Sequence, residues 1–396
     1  MKKSKFILYF ILYFCFSIAI NIVHPITPTY VKSLNLPDYY FGFFFSLMSL
    51  GQVIGALLFG FLSDKIGRKW LISIGAVGYF IAQALFGYVN TNPLLILVFR
   101  VMSGLFVAAP NTLFISMCLD YSEGDNVKNL SILSFCSILG GAVGYEVGGS
   151  LYNYLNFSIQ NVFLFQVLFG ISIAIIFALT MKDNIRSFTS SKSKFSFKNF
   201  ANLSGLVYVL LISLFTLTIG QILINKYLDV YITDIGFEPA VLGHYVLITG
   251  IVGALANLII IPSIKKVKNR KLEILLTTFV GLSAVLTFIT FLVKTNILYL
   301  LFSTHLFYSV LKALIMPLEQ NEIASYSDGT NNGQIMGARH TILSIGNVVG
   351  PLLGSAIYVS KSPMVFVVAA SIIILSLFMY IGYFGIKHRK QNKTVE

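Results

Sequence analysis

Residues 39–89 read YYFGFFFSLMSLGQVIGALLFGFLSDKIGRKWLISIGAVGYFIAQALFGYV, two apolar runs joined by the short charged turn DKIGRK. A helix needs roughly 20 apolar residues to cross the hydrocarbon core of a bilayer, and each run supplies them. Neither alternates every second residue, as the strand of a membrane barrel would. The same pattern continues in both directions. Spans are predicted over 6–31, 39–63, 70–89, 93–119, 129–153, 159–181, 204–233, 238–262, 272–293, 296–324, 333–358 and 362–386. The fold class is therefore an all-α integral membrane protein of twelve transmembrane helices. Composition agrees: 56% of the 396 residues are hydrophobic and 11% charged, against about a quarter charged in soluble proteins.

The net charge of +13 raises the question of nucleic acid, and its distribution answers it. Lys65, Arg68, Lys69, Lys128, Lys265, Lys266, Lys268, Arg270 and Lys271 fall in one set of alternate loops, together with both termini. The opposite set holds only Lys32, Lys294 and Lys361. This asymmetry is topological, and it puts both termini in the cytoplasm of a multi-pass protein of the cell membrane. No nucleic-acid partner is expected. The first span follows lysines, as a signal peptide would, but it is long and lacks a small-residue cleavage site, so it is expected to be retained. Cys15, Cys118 and Cys136 have the spacing of neither a disulfide framework nor a metal site, and are expected to pack as small residues. No metal or cofactor is expected.

One connection is long. Residues 182–203, rich in Lys, Ser and Phe, separate a six-helix bundle over 1–181 from a second over 204–386, with a cytoplasmic tail at 387–396. The two bundles look pseudo-symmetric. Tyr30–Gly42 (YVKSLNLPDYYFG) aligns without gaps on Tyr231–Gly243 (YITDIGFEPAVLG), and Pro110 with GYEVGGSLY is echoed by Pro317 with GPLLGSAIY. Two echoes in the same order indicate a parallel repeat.

The loop Gly60–Lys69 (GFLSDKIGRK) carries the most specific local chemistry. Gly60 is expected to let the helix end pack closely on a neighbour, Gly67 to make the turn, and Asp64 to lie within pairing distance of Arg68. The segment resembles the signature loop of the major facilitator superfamily, and the helix count, linker and repeat extend that resemblance over essentially the whole chain. Pro25, Pro28 and Tyr30 (PITPTY) at the outer end of span 1 resemble the twelve-helix drug:proton antiporter branch. The resemblance implies a conformational gate made by Gly60, Asp64, Gly67 and Arg68. Arg100, in RVMSG with Gly104, matches the family's arginine-glycine motif in span 4 and implies a part in proton movement. Gly140, Gly144 and Gly148 resemble the antiporter motif of span 5, with Tyr145 where the family has proline, which leaves the direction of transport open. Gly346, Gly350 and Gly354 in span 11, with Pro351, repeat that pattern. Both glycine sets are expected to pack helices closely at the seam between the halves.

Glu146 sits two residues off its glycine stripe, about 200° round the helix. It is expected to face its own bundle and to pair with Arg100, so that rearrangement of the pair loads or releases a proton; the alternative is a solvated carboxylate in the outer vestibule. In span 10, Lys312 and Glu319 are seven residues apart and share a face, while Glu322 is expected to be solvated at the cytoplasmic mouth. In span 7, Asn225, Lys226 and Asp229 make the outer half polar. The proton-coupling candidates are thus Arg100, Glu146, Asp229 and Glu319. Candidates for the substrate cavity are Asn21, His24, Asn111, Asn225, Lys312 and Gln320. The resulting reading is a secondary transporter, not an enzyme, that exports small amphipathic compounds against protons by alternating access, as a monomer in the lipid bilayer. Two alternatives stay open: a dedicated carrier of one metabolite such as a sugar, amino acid or metal chelator, and a transporter-like sensor or lipid-handling protein. Nothing in the chain resembles a phosphate-binding nucleotide loop.

Overall fold

The computed structural model describes residues 3–37, 39–88, 92–121, 126–182, 204–264, 269–293, 295–326 and 332–393. The linker positions 183–203 lie outside the described residues. The helices are α1 (Lys3–Asn21), α2 (Thr27–Ser33), α3 (Tyr40–Ile66), α4 (Arg68–Tyr88), α5 (Pro93–Tyr121), α6 (Asn126–Asn153) and α7 (Ile159–Thr180). They continue with α8 (Gly205–Asp234), α9 (Pro239–Ile264), α10 (Asn269–Leu292), α11 (Ile297–Leu300), α12 (Leu306–Ala324), α13 (Asn332–Ile357) and α14 (Met364–Lys393). A π-helical turn, Leu301–His305, joins α11 to α12 in one span. Among the described residues there is no strand, and 11 helical segments are long and apolar enough to cross a membrane. The shorter apolar helix Phe6–Asn21 precedes them. The predicted continuous span 6–31 is corrected here: the chain turns over residues 22–26 and resumes as α2, with Pro28 in its first turn. Proline lacks the N–H that a continuous helix needs, but is accommodated at a helix start.

By compactness the chain forms two units, residues 1–190 with 229–254, and residues 191–228 with 255–396. In the first, α3 and α4 pack on α5, α1 on α6, and α4 on α7. Its centre is aromatic: Tyr9, Phe16, Tyr79, Phe80 and Phe114 are buried together. Two polar side chains inside it reach backbone carbonyls, the partners that hydrocarbon does not offer. The Tyr30 hydroxyl donates to the Phe86 carbonyl at 2.5 Å, and Gln166 Nε2 to the Ala19 carbonyl at 2.9 Å. In the second unit α10 packs on α12 and α14. Leu57, Leu94, Leu179, Tyr299 and Phe378 are each more than half exposed, a distribution suited to contact with lipid chains and not with water.

The repeat is visible in the backbone. Asn35 has φ +53° and Gly236 φ +96°, and these are equivalent positions of the aligned segments 30–42 and 231–243. Each makes the left-handed turn between consecutive helices that glycine, and next to it asparagine, tolerates. Gly67 also takes a positive φ, ending α3 with φ 93° and ψ 162°.

Candidate functional site

The glycine stripes settle how the charged helices are oriented. A methyl group at Gly140, Gly144 or Gly148 would collide with α1 or the turn after it: Phe14 O at 2.8 Å, Ile18 O at 2.5 Å and Ile22 O at 1.7 Å. A methyl at Gly346, Gly350 or Gly354 would meet Thr218, Ile222 and Tyr227 of α8 at 2.8, 2.9 and 2.0 Å. The two stripes are therefore equivalent: α6 lies on α1 as α13 lies on α8. Each stripe packs within its own sequence half, which corrects the expectation that they form the seam between halves. In consequence Glu146, on the other side of α6, faces α9. The 200° offset holds, but the two faces are exchanged.

Glu146 Oε2 lies 2.8 Å from His244 Nδ1 on α9, and its Oε1 accepts a hydrogen bond from the Ser150 hydroxyl at 3.1 Å. The Tyr154 hydroxyl is 3.1 Å from the other ring nitrogen of His244. One residue before Glu146, the Tyr145 hydroxyl donates to Asp229 Oδ2 on α8 at 3.1 Å, and the His24 ring stacks on Tyr145 with centroids 5.5 Å apart. Lys32 pairs with the buried Asp234, and the Ala240 amide donates to Asn153 Oδ1 at 2.9 Å. α2, the C-terminal parts of α6 and α8 and the start of α9 are thus tied together by polar contacts around the Glu146–His244 pair.

The expected Arg100–Glu146 pair does not form. Arg100 is buried on α5 with its guanidinium carbon 3.7 Å from the centroid of the Phe86 ring and 6.0 Å from that of Phe44. Nη1 approaches the Met48 sulfur at 3.9 Å, and Nε has no hydrogen-bond partner. Its charge is held by an aromatic face in place of a carboxylate.

In the second unit Glu319 is buried on α12 and gripped by Arg339 of α13, Nη2 to Oε2 at 2.8 Å. Lys312, two turns earlier on α12, is half-buried. Less than one turn further along α12 from Glu319, Lys387 Nζ bridges Glu322 at 2.7 Å and Glu273 at 3.1 Å, Tyr383 donates to Glu322, and His388 reaches Glu273 at 2.8 Å. Glu322 is 4% exposed, so it is a buried member of a network; the expectation of a solvated carboxylate is corrected.

The remaining sequence candidates scatter. Asn21 turns back to the Ser17 carbonyl at 2.8 Å and packs against Gly144. Asn111 and Asn225 are half-buried and Gln320 is exposed. Arg68 Nη1 donates to the Ser116 carbonyl of α5, tying the loop after α3 to the end of α5. The Asp64 side chain lies outside the described residues. Gly60 is corrected: a methyl there meets nothing within 4 Å, so close packing does not require it. The sequence reading passed over Arg339 and gave His244 no particular partner. Arg339 carries the same signal that singled out Arg100, a guanidinium several residues inside an apolar span.

The Major Facilitator Superfamily sequence profile matches residues 9–303 and 269–396. The chain is 24% identical over 370 residues to the quinolone resistance protein NorA of Staphylococcus aureus, covering 90% of each chain. It is 24% identical over 359 residues to multidrug resistance protein 1 of Bacillus subtilis, covering 86% of each. The fold matches the crystal structure of the nucleoside transporter NupG with a TM-score of 0.78 at 14% identity, over 97% of this chain and 99% of that one. It also matches an inward-facing, occupied structure of a bacterial homologue of the human lysosomal transporter Spinster, TM-score 0.75 at 14% identity, over 96% of each chain. The architecture is that of a multi-pass membrane transporter. This chain belongs to the Major Facilitator Superfamily.

Proposed function

We propose that this transporter exports small amphipathic compounds in exchange for protons, through alternating exposure of a site near the middle of the bilayer. One observation carries the reading. Glu146, a carboxylate well inside α6, is bound by His244 and Ser150, so its neighbours are a group that can itself take up or release a proton and a neutral hydroxyl. A carboxylate gripped by a guanidinium, as Glu319 is by Arg339, leaves a permanent buried cation unpaired if it is protonated. One held by imidazole and hydroxyl can be protonated without stranding a permanent cation. Asp229, accepting from the Tyr145 hydroxyl next to Glu146, is a second proton-carrying group in the same cluster. The names of the two relatives, a quinolone and a multidrug resistance protein, support export of amphipathic compounds.

The remaining roles follow from this reading. The bundles over 1–181 and 204–386 rock about the site, joined by the linker at 182–203, with the tail at 387–396 and both termini in the cytoplasm. The protein works as a monomer in the cell membrane. Gly67 and Arg68, with Asp64, gate the opposite face, and His24, Asn111, Asn225, Lys312 and Gln320 contribute to the substrate path.

The test uses inside-out vesicles holding a proton gradient, to which lipophilic cations, neutral compounds and organic anions are added singly. Collapse of the gradient by several unrelated compounds, lost with Glu146→Gln, is the expected result. Collapse by none of them overturns export coupled to protons, and collapse that survives Glu146→Gln moves the proton to Asp229.

A further inference from the structure

Two guanidiniums lie inside apolar spans, and the chain treats them differently. Arg339 closes on both oxygens of Glu319. Arg100 stands about 10 Å from the start of α5 and is 3% exposed, yet among the described residues no carboxylate forms an ion pair with it. The Phe86 ring covers its central carbon at 3.7 Å, with Phe44 at 6.0 Å. Nη1 has the Met48 sulfur at 3.9 Å, a weak acceptor. Nε is buried and has no hydrogen-bond partner. Oxygens of the flanking residues are engaged by neutral donors instead. The Ser103 hydroxyl, one turn along α5, donates to the Phe99 carbonyl at 2.8 Å and lies 3.3 Å from Gln83 Oε1. The Phe86 carbonyl accepts from the Tyr30 hydroxyl at 2.5 Å.

A ring face offsets part of the cost of taking a cation out of water, but it satisfies no N–H in the guanidinium plane. With Phe86 over the face, the edge that carries Nε is left for an acceptor of opposite charge. The packing around Arg100 sets the size of that acceptor. A methyl at Gly104 would collide with the Met48 carbonyl, and one at Gly51 with the Val101 carbonyl. α3 and α5 therefore meet backbone to backbone beside Arg100, which excludes an organic molecule from the space between them. One guanidinium calls for one negative charge, and a weakly hydrated monatomic anion needs the least room and costs the least to dehydrate.

We propose that Arg100 is a binding site for chloride, held at the Nε edge of the guanidinium while Phe86 covers its face. The bound ion neutralises Arg100 and makes the stability of the first unit depend on chloride concentration. The full chain is placed in nanodiscs of phosphatidylcholine in gluconate buffer free of chloride, and equilibrium binding of radiolabelled chloride is measured. One saturable site per chain is expected, displaced by bromide and not by further gluconate, which is too large to enter. Arg100→Met is expected to abolish it. Because that substitution also removes a packing side chain, a second pair of variants separates charge from folding. Met48→Glu puts a carboxylate where the sulfur now meets Nη1, and so supplies the counter-charge from within the chain. It is expected to weaken chloride binding at least about tenfold, the margin of one charge-assisted hydrogen bond, while the neutral Met48→Gln retains it. Protection of the buried, free Cys118 from a thiol reagent verifies that each variant is folded.

No saturable chloride binding to the wild-type chain overturns the proposal, and the aromatic face then suffices for Arg100. Binding undiminished in folded Arg100→Met or Met48→Glu overturns it by placing the ion elsewhere. Equal loss in Met48→Glu and Met48→Gln overturns it by tracing the effect to packing. Formate bound more tightly than chloride overturns the choice of ion in favour of a carboxylate. If Arg100→Met and Met48→Glu both lose the protection of Cys118, the wild-type unfolding midpoint decides. A higher midpoint in chloride or bromide than in gluconate at equal ionic strength supports the site, and equal midpoints overturn it.

Discussion

Arg339 and Glu319 face each other as a bidentate pair: Nε lies 3.1 and 3.2 Å from the two carboxylate oxygens and Nη2 2.8 Å from Oε2. Both side chains are almost wholly buried, 3% and 2% exposed. Two desolvated charges in this geometry balance one another, and the large energy appears when one is removed and the other is stranded. Arg339→Leu and Glu319→Leu alone are each expected to destabilise the protein by about 3–5 kcal/mol. The double variant is expected to lose much less than the sum. Thermal unfolding in detergent, followed by thiol labelling of the buried, free Cys118, measures all three. Single variants that shift the midpoint no more than a surface substitution does would show that the pair is solvated.

The glycines make opposite predictions at two positions. At Gly148 a side chain must enter the space of the Ile22 carbonyl, 1.7 Å from an ideal Cβ. Backbone cannot step aside as a flexible side chain can, so Gly148→Val is expected to cost more than the 1–3 kcal/mol typical of overpacking and to lower the yield of folded protein. At Gly60 nothing lies within 4 Å. Gly60→Ala is expected to be neutral or to stabilise α3 by up to about 1 kcal/mol, since alanine is the better helix former. Equal loss at both positions would mean that the signature-loop glycine has a packing role in another state of the cycle.

These two cases mark what the sequence disclosed. Spans, the repeat that aligns 30–42 with 231–243, and the small-residue stripes depend on local rules of length and spacing, and they were legible. Which neighbour a stripe faces depends on packing between distant segments. Periodicity separated Glu146 from its glycines by the right angle, yet it carried no sign to say which side met α1 and which met α9. Arg339 was legible in principle, being as improbable inside an apolar span as Arg100. Its partner was not, because Glu319 lies on α12 and Arg339 on α13, and spacing within one helix says nothing of pairing between two.

Glu146 and His244 should couple more weakly than Arg339 and Glu319. Their side chains are 24% and 43% exposed, so water screens the interaction and competes for its hydrogen bonds. A double-mutant cycle of Glu146→Gln and His244→Gln on thermal stability is expected to give a coupling on the order of 0.5–1 kcal/mol. The effect on proton-linked transport should be far larger than the effect on stability, because the pair is assigned to the cycle and not to the core. If His244→Gln leaves gradient collapse intact, the imidazole is a structural neighbour and Glu146 works through Ser150 and solvent.

Arg100 should be intolerant of lysine. The guanidinium carbon lies 3.7 Å from the Phe86 ring centroid, close enough for attraction to the ring's negative face, and arginine suits such a site better than lysine. An ammonium at the same depth would be a hydrated point charge without a carboxylate to receive it. Arg100→Lys therefore keeps the formal charge and is still expected to lower the unfolding midpoint. Phe86→Leu should do the same by removing the ring. If the pair is the source of both losses, the two substitutions are sub-additive by about 1–2 kcal/mol. Additive losses would mean that each residue packs independently, leaving Met48 Sδ, 3.9 Å from Nη1, as the remaining contact to hold the guanidinium.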